Sequence, residues 1–253
     1  MSKPAPRERP TAVLTVAHDL APPYGLRPPG PTAPLLRLPY EDLLSPGAGP
    51  LLRGRLVRRR DRFLADIVLD RAEHSGAPSI DGAPAVEIVA HCVNTGRMEG
   101  LTRPGLTVYV SRAPAGRRLA FTWELTEVDG VVIGTNTALP NRLVHELLRR
   151  RLLPPFADHL ELAPERRFGE RSRVDFWLRR PSGEHYLEVK NCHLVYPDRR
   201  GYFPDSISER ATHHLHELSA MVAAGHSASV LFVVQRADAT CLRPSDVHDP
   251  AFA

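Results

Sequence analysis

Hydrophobic and polar positions alternate in short runs through the first half of the chain. Runs of β type occupy 51–57, 63–69, 86–92 and 107–111, separated by polar turns that contain Gly or Pro. Several short strands packed into about 60 residues predict a small barrel. A further hairpin is predicted at 121–128 and 131–136, because Asp129-Gly130 between the runs favours a type I′ turn. The spacing then changes. Pro140 opens a helical stretch over 141–152 in which Leu143, Leu147 and Leu148 form one apolar stripe.

The second half reads as hairpin, helix, strand. Runs at 173–178 and 185–190 flank the turn-rich segment 179–184. Ser206 with Glu209 fits a capping box that opens a helix running through about 224, which Gly225 ends. The β-branched run 229–234 then suits a buried strand, and a strand, a helix and a strand in this order predict a right-handed parallel crossover in an α/β sheet. Residues 1–50 differ from both halves: they hold 12 of the 25 prolines, a density that opposes helix and interior strand alike, and read as a flexible extension.

Composition changes this picture little. The chain has 253 residues, 42% hydrophobic and 25% charged, which fits one large or two small globular domains. A net charge of +4 permits a polyanionic partner without demanding one. Three widely spaced cysteines, Cys92, Cys192 and Cys241, suit a reducing compartment. There is no apolar run long enough to span a bilayer, and prolines interrupt the region where a signal peptide needs a continuous apolar stretch, so a cytoplasmic protein without membrane contact is expected.

The charge is written almost wholly as arginine: 31 of the 33 basic residues, with lysine only at Lys3 and Lys190. Lysine is compact and exchanges a proton readily, whereas arginine stays charged. Lys190 stands in Glu188-Val189-Lys190, within the second predicted hairpin. If that hairpin turns between Pro181 and Ser182, opposed residues have numbers that sum to 363, and Asp175 falls opposite Glu188. Opposed residues project from one face with Cβ atoms about 5 Å apart, and Lys190, two positions on, joins them. Two adjacent carboxylates repel unless a cation lies between them. A hard divalent ion such as Mg²⁺ binds such a pair, lowers the pKa of a bound water and polarises a phosphoryl oxygen, while an ammonium meets the developing charge. Asp175, Glu188 and Lys190 therefore fit a phosphodiester-hydrolysis site; the same spacing fits an exposed cluster in which Lys190 merely neutralises the acids. Arg171, Arg173, Arg179, Arg180, Arg199 and Arg200 lie around them in sequence as phosphate donors or as a solvated face.

At these residues a resemblance becomes plain. Arg171-Ser172-Arg173-Val174-Asp175-Phe176, Glu188-Val189-Lys190, Gly201-Tyr202-Phe203-Pro204-Asp205, and Glu209-Arg210 followed by His214-Leu215 and Glu217-Leu218 resemble the sugar fermentation stimulation protein family. The likeness continues upstream through Arg62-Phe63-Leu64-Ala65-Asp66, Asn94-Thr95-Gly96, Pro104-Gly105 and Asn141-Arg142-Leu143, and covers roughly residues 51–250. It implies a mixed α/β protein: an N-terminal OB-like barrel, drawn at 51–118, followed by a PD-(D/E)xK nuclease-like domain at 119–253. It also implies binding of nucleic acid, DNA ahead of RNA, and a regulatory role in sugar, notably maltose, metabolism. Carried onto this chain, it gives metal-binding roles to Asp175 and Glu188, with Mg²⁺ or Mn²⁺ as cofactor, and the catalytic ammonium to Lys190. Glu146 on the preceding helix is the candidate for a further acid. Glu209 and Arg210 could reach the same face, though a capping carboxylate is the plainer role for Glu209. Val174 stands where the superfamily pattern has proline, the proline-rich first 50 residues have no counterpart, and the chain stops at Asp249-Pro250-Ala251-Phe252-Ala253, where family members usually continue.

Other candidates are weaker. Arg58, Arg59, Arg60 and Arg62 form a basic turn ending in Phe63, suited to a sugar-phosphate backbone, with Phe63 expected to anchor the core. Asn94-Thr95-Gly96-Arg97 is a loop whose amides could hold an anion, or a turn that needs Gly96 for its backbone angle. His213, His214 and His216 resemble a metal cluster but lack a converging second pair. Trp123 and Trp177 are expected in the core, and Cys192 is expected to act as a small apolar residue.

Overall fold

The computed structural model describes residues 11–14, 19–20, 26–27, 36–70, 85–169 and 172–253. The proline-rich region contributes four short strands, β1 (Thr11–Leu14), β2 (Asp19–Leu20), β3 (Leu26–Arg27) and β4 (Leu36–Pro39). β1 pairs with β4 and β2 with β3, and Leu26 is the register partner of Leu242 near the C-terminus. Pro39 then leads into a 3₁₀ turn, Tyr40–Leu43, whose Tyr40 and Leu43 are buried, as is Ala48. The flexible extension drawn through residue 50 thus gives way to packed structure by Tyr40. Proline density excludes long helices and interior strands, but it leaves room for a short turn that buries an aromatic ring.

Alternation produces the barrel. β5 (Leu52–Arg60), β6 (Leu64–Leu69), β7 (Val86–His91), β8 (Thr107–Arg112) and β9 (Phe121–Val128) close on themselves through β8–β9 pairing, and β10 (Val131–Gly134) extends the sheet beside β9. In β6 every second residue, Ala65, Ile67 and Leu69, points inward. Leu56, Met98, Val108, Val110 and Trp123 fill the remaining interior. Trp123 is a core residue as expected; its indole N–H donates to the Leu125 carbonyl at 3.1 Å. The hairpin of β9 and β10 belongs to this barrel and not to the second domain, so the barrel runs past residue 118. The physical reason is closure, since without β9 the edges of β8 and β7 would be left open.

α1 (Leu139–Arg149) follows, and its buried stripe includes Leu143, Val144, Leu147 and Leu148. The second domain is built on a four-stranded sheet ordered β11 (Glu161–Phe168), β12 (Ser172–Arg180), β13 (Gly183–Cys192) and β15 (Ser227–Val234). The first three are antiparallel, and β13 pairs with β15 in parallel through α2 (Glu209–Ala223), the crossover the sequence pattern predicts. β11 was not apparent from its polar sequence; it is an edge strand, where Pro164 is tolerated. β14 (Arg200–Phe203) and β16 (Cys241–Pro244) form a second small sheet with β3 and β2. α2 begins at Glu209, but its cap is Ser208, whose hydroxyl accepts from the Ala211 N–H at 3.2 Å; the predicted cap at Ser206 lies two residues too early.

The domains are joined directly. The Gly134 N–H at the end of β10 donates to the Gln235 carbonyl at 3.0 Å, and the Gln235 side chain donates to Asn191 at 2.7 Å. Among the described residues no helix is long and apolar enough to cross a membrane.

Candidate functional site

The β12–β13 hairpin carries the candidate chemistry. Its register, Phe176↔Leu187 through Arg180↔Gly183, obeys the predicted sum of 363. The ladder stops at Phe176↔Leu187, and the next inward N–H, that of Val189, donates to Asp175 Oδ2 at 2.7 Å. Asp175 thus sits where the strands part. Its Oδ1 accepts from the Asn141 side-chain amide at 2.6 Å, so α1 reaches the site through Asn141.

Glu188 is 4% exposed. Its Oε1 accepts from Lys190 Nζ at 2.6 Å and from His214 Nδ1 at 2.7 Å, while its Oε2 is buried with no hydrogen-bond partner. His214 comes from α2, on the buried stripe Ala211, His214, Leu218. Burial, and next the charge of Glu188, hold the Asp175 carboxyl above its usual range; the Val189 N–H, Asn141 and Lys190 act the other way. Proximity of the two carboxylates is therefore felt energetically, as the hairpin register requires.

A divalent cation fits this donor set. Two oxygen-donor carboxylates meet at a strand opening, one carrying an unpartnered buried oxygen whose desolvation is unmet by any protein group. Asp175 and Glu188 would hold it. Among the described residues no three of His, Cys, Asp and Glu converge as a ready-made metal set.

Other predicted residues are placed differently. Glu146 does not join: its carboxylate accepts from Arg149 and Arg150 at 2.5–2.9 Å on its own helix, and those guanidinium groups pull it down to about pKa 2. Glu209 and Arg210 are exposed in the first turn of α2, and the α2 residue that reaches Glu188 is His214. His213 instead lies 3.4 Å from Glu217 on the exposed side of the helix, so the histidines do not act together. Cys192 is buried, and burial pushes its thiol up to about 12, an inert group as expected. Trp177 is in the core, with Arg166 stacked 3.6 Å over its ring.

The arginines divide sharply. Arg58 and Arg60 share Asp66 at 2.8 and 3.0 Å, and the Arg58 contact first, with Arg60, holds that carboxyl below its usual range. Arg59 donates to the carbonyls of Gly96, Asn94 and Arg62 at 2.7–3.0 Å and ties the hairpin to the 94–96 loop. Arg62 is exposed, and Phe63 is 52% exposed rather than a core anchor, because the tight turn at Asp61 and Arg62, both with positive φ, swings it outward. Arg179 and Arg180 are occupied by Glu161 and Asp158. Arg199 donates to the Asp238 carbonyl, and Arg200 lies 3.4 Å from Asp198. Arg171 lies outside the described residues. Arg173 is exposed and directly opposite an equally exposed Arg167 on β11, two positions from Asp175. Arg167 escaped the sequence reading because the strand that carries it did.

Comparison with known proteins places these features. The family described as the SfsA N-terminal OB domain matches residues 57–135, and that described as the sugar fermentation stimulation protein RE domain matches residues 138–253. The sugar fermentation stimulation protein homolog of Pelobacter propionicus is 42% identical over 204 residues, 80% of this chain and 83% of its own. That of Rhodospirillum centenum is 43% identical over 206 residues, 81% of this chain and 83% of its own. The structure of Pyrococcus furiosus SfsA in complex with Ca²⁺ superposes with a TM-score of 0.68 at 24% identity, covering 81% of each chain.

Proposed function

Because the chain belongs to the sugar fermentation stimulation protein family, we propose that it binds nucleic acid, DNA ahead of RNA, and cleaves phosphodiesters at Asp175, Glu188 and Lys190 with a divalent cation. One observation carries this reading: Glu188 takes both neighbouring side-chain nitrogens, those of Lys190 and His214, on Oε1 and leaves Oε2 buried, unpartnered and beside a second carboxylate. The archaeal relative's Ca²⁺, a hard cation that takes oxygen ligands, accords with it.

When bound, Mg²⁺ or Mn²⁺ supplies an acidified water and offsets charge on a phosphoryl oxygen. The chain's own groups do the rest. Asn141 and the Val189 N–H fix both oxygens of Asp175, so that carboxylate meets substrate in one orientation. His214 and Lys190 fix Glu188 in the same way, and the ammonium, held 2.6 Å from that carboxylate, is positioned to orient water or to meet charge building on the phosphate. Arg167 and Arg173, like charges set directly opposite at an exposed surface, disfavour each other until a polyanion lies across them. Three free cysteines agree with a cytoplasmic setting, where DNA and reducing conditions coincide.

A second reading, a DNA-binding regulator of sugar metabolism that only grips metal or phosphate, is favoured by the closed contact between Lys190 and Glu188. Incubation of labelled single-stranded DNA, duplex DNA and RNA with Mg²⁺ or Mn²⁺ separates the two. Cleavage by the natural chain that disappears in Asp175→Asn and in Lys190→Ala supports the enzyme. Binding without cleavage, unchanged in both variants, supports the regulator and removes the enzyme.

A further inference from the structure

A cavity of about 600 Å³ opens between the two domains. Arg62 and the 95–97 loop line its barrel side; Ser206, Ile207, Val247 and His248 line the other. The walls are mixed in a particular way. Arg62 and Arg97 are exposed cations. Ile207 and Val247, across the cavity, are 75% and 85% exposed, and Phe63, next to Arg62, is 52% exposed. Beneath the loop, Asn94 is 3% exposed; its Oδ1 accepts from the Gly96 N–H at 2.8 Å, and its Nδ2 has no partner. A Cβ at Gly96 would be tightly placed, meeting Asn94 Oδ1 at 3.0 Å and Asp205 Oδ2 at 3.2 Å.

Two acids near the cavity each have a histidine neighbour. Asp205 lies 3.4 Å from the buried His193 ring, and Glu99 lies 3.9 Å from His248. Of the residues that line the cavity itself, Arg62 and Arg97 carry the fixed charges. Exposed aliphatic side chains facing two arginines across one cavity ask for a ligand with apolar faces and an anionic backbone. Unpaired nucleotides offer both; a duplex hides its base faces and presents phosphate alone. His193 follows Lys190 by three residues of β13 and its continuation, about 10 Å of extended chain, so the Asp205 partner beside the 95–97 loop and the carboxylates are neighbours along one strand.

We infer that this interdomain cavity holds a single-stranded nucleic-acid segment, with its phosphates at Arg62 and Arg97 and its bases against Ile207 and Val247. The assignment rests on the proposed nucleic-acid function and gives it a strandedness. It makes the barrel and the second domain one binding surface, where the sequence reading put basic contacts on the barrel hairpin and catalysis elsewhere.

The test is fluorescence anisotropy of a labelled single-stranded oligodeoxynucleotide and a hairpin duplex of equal length, in EDTA so that nothing is cleaved. Arg97→Ala is expected to weaken single-strand binding about tenfold and reduce the salt slope by about 0.7. The double change Ile207→Ser, Val247→Ser is expected to weaken it about tenfold with an unchanged salt slope, because it removes stacking surface alone. Duplex binding should move by less than about twofold in either. All three residues are exposed, so a matched thermal melt confirms that the variants are folded. Single-strand affinity unchanged in both variants, while the natural chain binds, overturns the cavity assignment and leaves the proposed function standing. Equal losses for duplex and single strand also overturn it. A natural chain that binds no oligonucleotide overturns the proposed function itself, and the cavity assignment with it.

Discussion

In the β5–β6 hairpin four arginines fall within five positions, yet three of them are engaged by the barrel's own groups: Arg58 and Arg60 on Asp66, and Arg59 on three backbone carbonyls. In the β12–β13 hairpin the charged groups are fewer and come from distant points of the chain, yet they converge. Asp175 and Glu188 are pressed together, and their partners come from two helices, Asn141 on α1 and His214 on α2. The comparison teaches that density of charge in sequence is a poor guide to chemistry. Opposite charges brought together by a tight turn satisfy one another and become structure; like charges held together by a sheet register remain unsatisfied, and that is where a ligand has something to do.

The largest expected effect breaks the second hairpin's chemistry without its fold. Lys190→Ala should lower metal-dependent cleavage by roughly 10²–10³-fold while oligonucleotide affinity falls by no more than one phosphate contact. Single-turnover cleavage beside anisotropy measures both, and parallel losses would remove the catalytic role. Next, the first hairpin is tested as structure. Arg59→Ala should destabilise the protein by about 2–3 kcal/mol in urea melts, since three carbonyls lose a charged donor, whereas exposed Arg58→Ala should cost less than about 1 kcal/mol. Equal and small losses would return Arg59 to the pool of ligand-binding residues.

A smaller effect concerns pH. The Asp175 carboxyl is held above its unfolded value by burial and by Glu188, so ionising it costs the folded state stability as pH rises through the folded pKa. Asp175→Asn should therefore raise Tm by a few degrees at neutral pH. That gain should vanish below about pH 3.9, where the carboxyl is protonated in both states. A neutral-pH Tm that falls would show that the two hydrogen bonds to Asp175 outweigh the repulsion. The smallest effect is Glu146→Gln, whose ion pairs lie at the surface: a loss below about 1 kcal/mol in urea melts and unchanged cleavage. Cleavage reduced by tenfold or more would bring Glu146 back into the site.

Much of the local architecture is legible in the chain. Turn chemistry at Asp129-Gly130 and the Pro181-Ser182 hinge sets two hairpins, and the latter fixes the register that puts Asp175 beside Glu188 by counting alone. Period-two burial in β6 and the leucine stripe of α1 follow from spacing in the same way. Less visible were β11, whose polar residues suit an edge strand, and the packed turn at Tyr40, masked by the prolines around it. His214 carried a signal that spacing could have read: of the three neighbouring histidines it alone falls on the Ala211, His214, Leu218 stripe that α2 turns inward.

The sequence by itself determined, then, what short-range rules control: strand and helix type, turn positions, the register of a two-residue hairpin, and hence the face shared by Asp175, Glu188 and Lys190. Tertiary structure alone decided which oxygens of those acids are satisfied, that Arg59 is a brace, and that a barrel loop and the segment before α2 line one cavity. The division is physical. Backbone periodicity and turn geometry act over a few residues, whereas desolvation, buried hydrogen bonding and cavity formation depend on groups far apart in sequence that meet only when the chain packs.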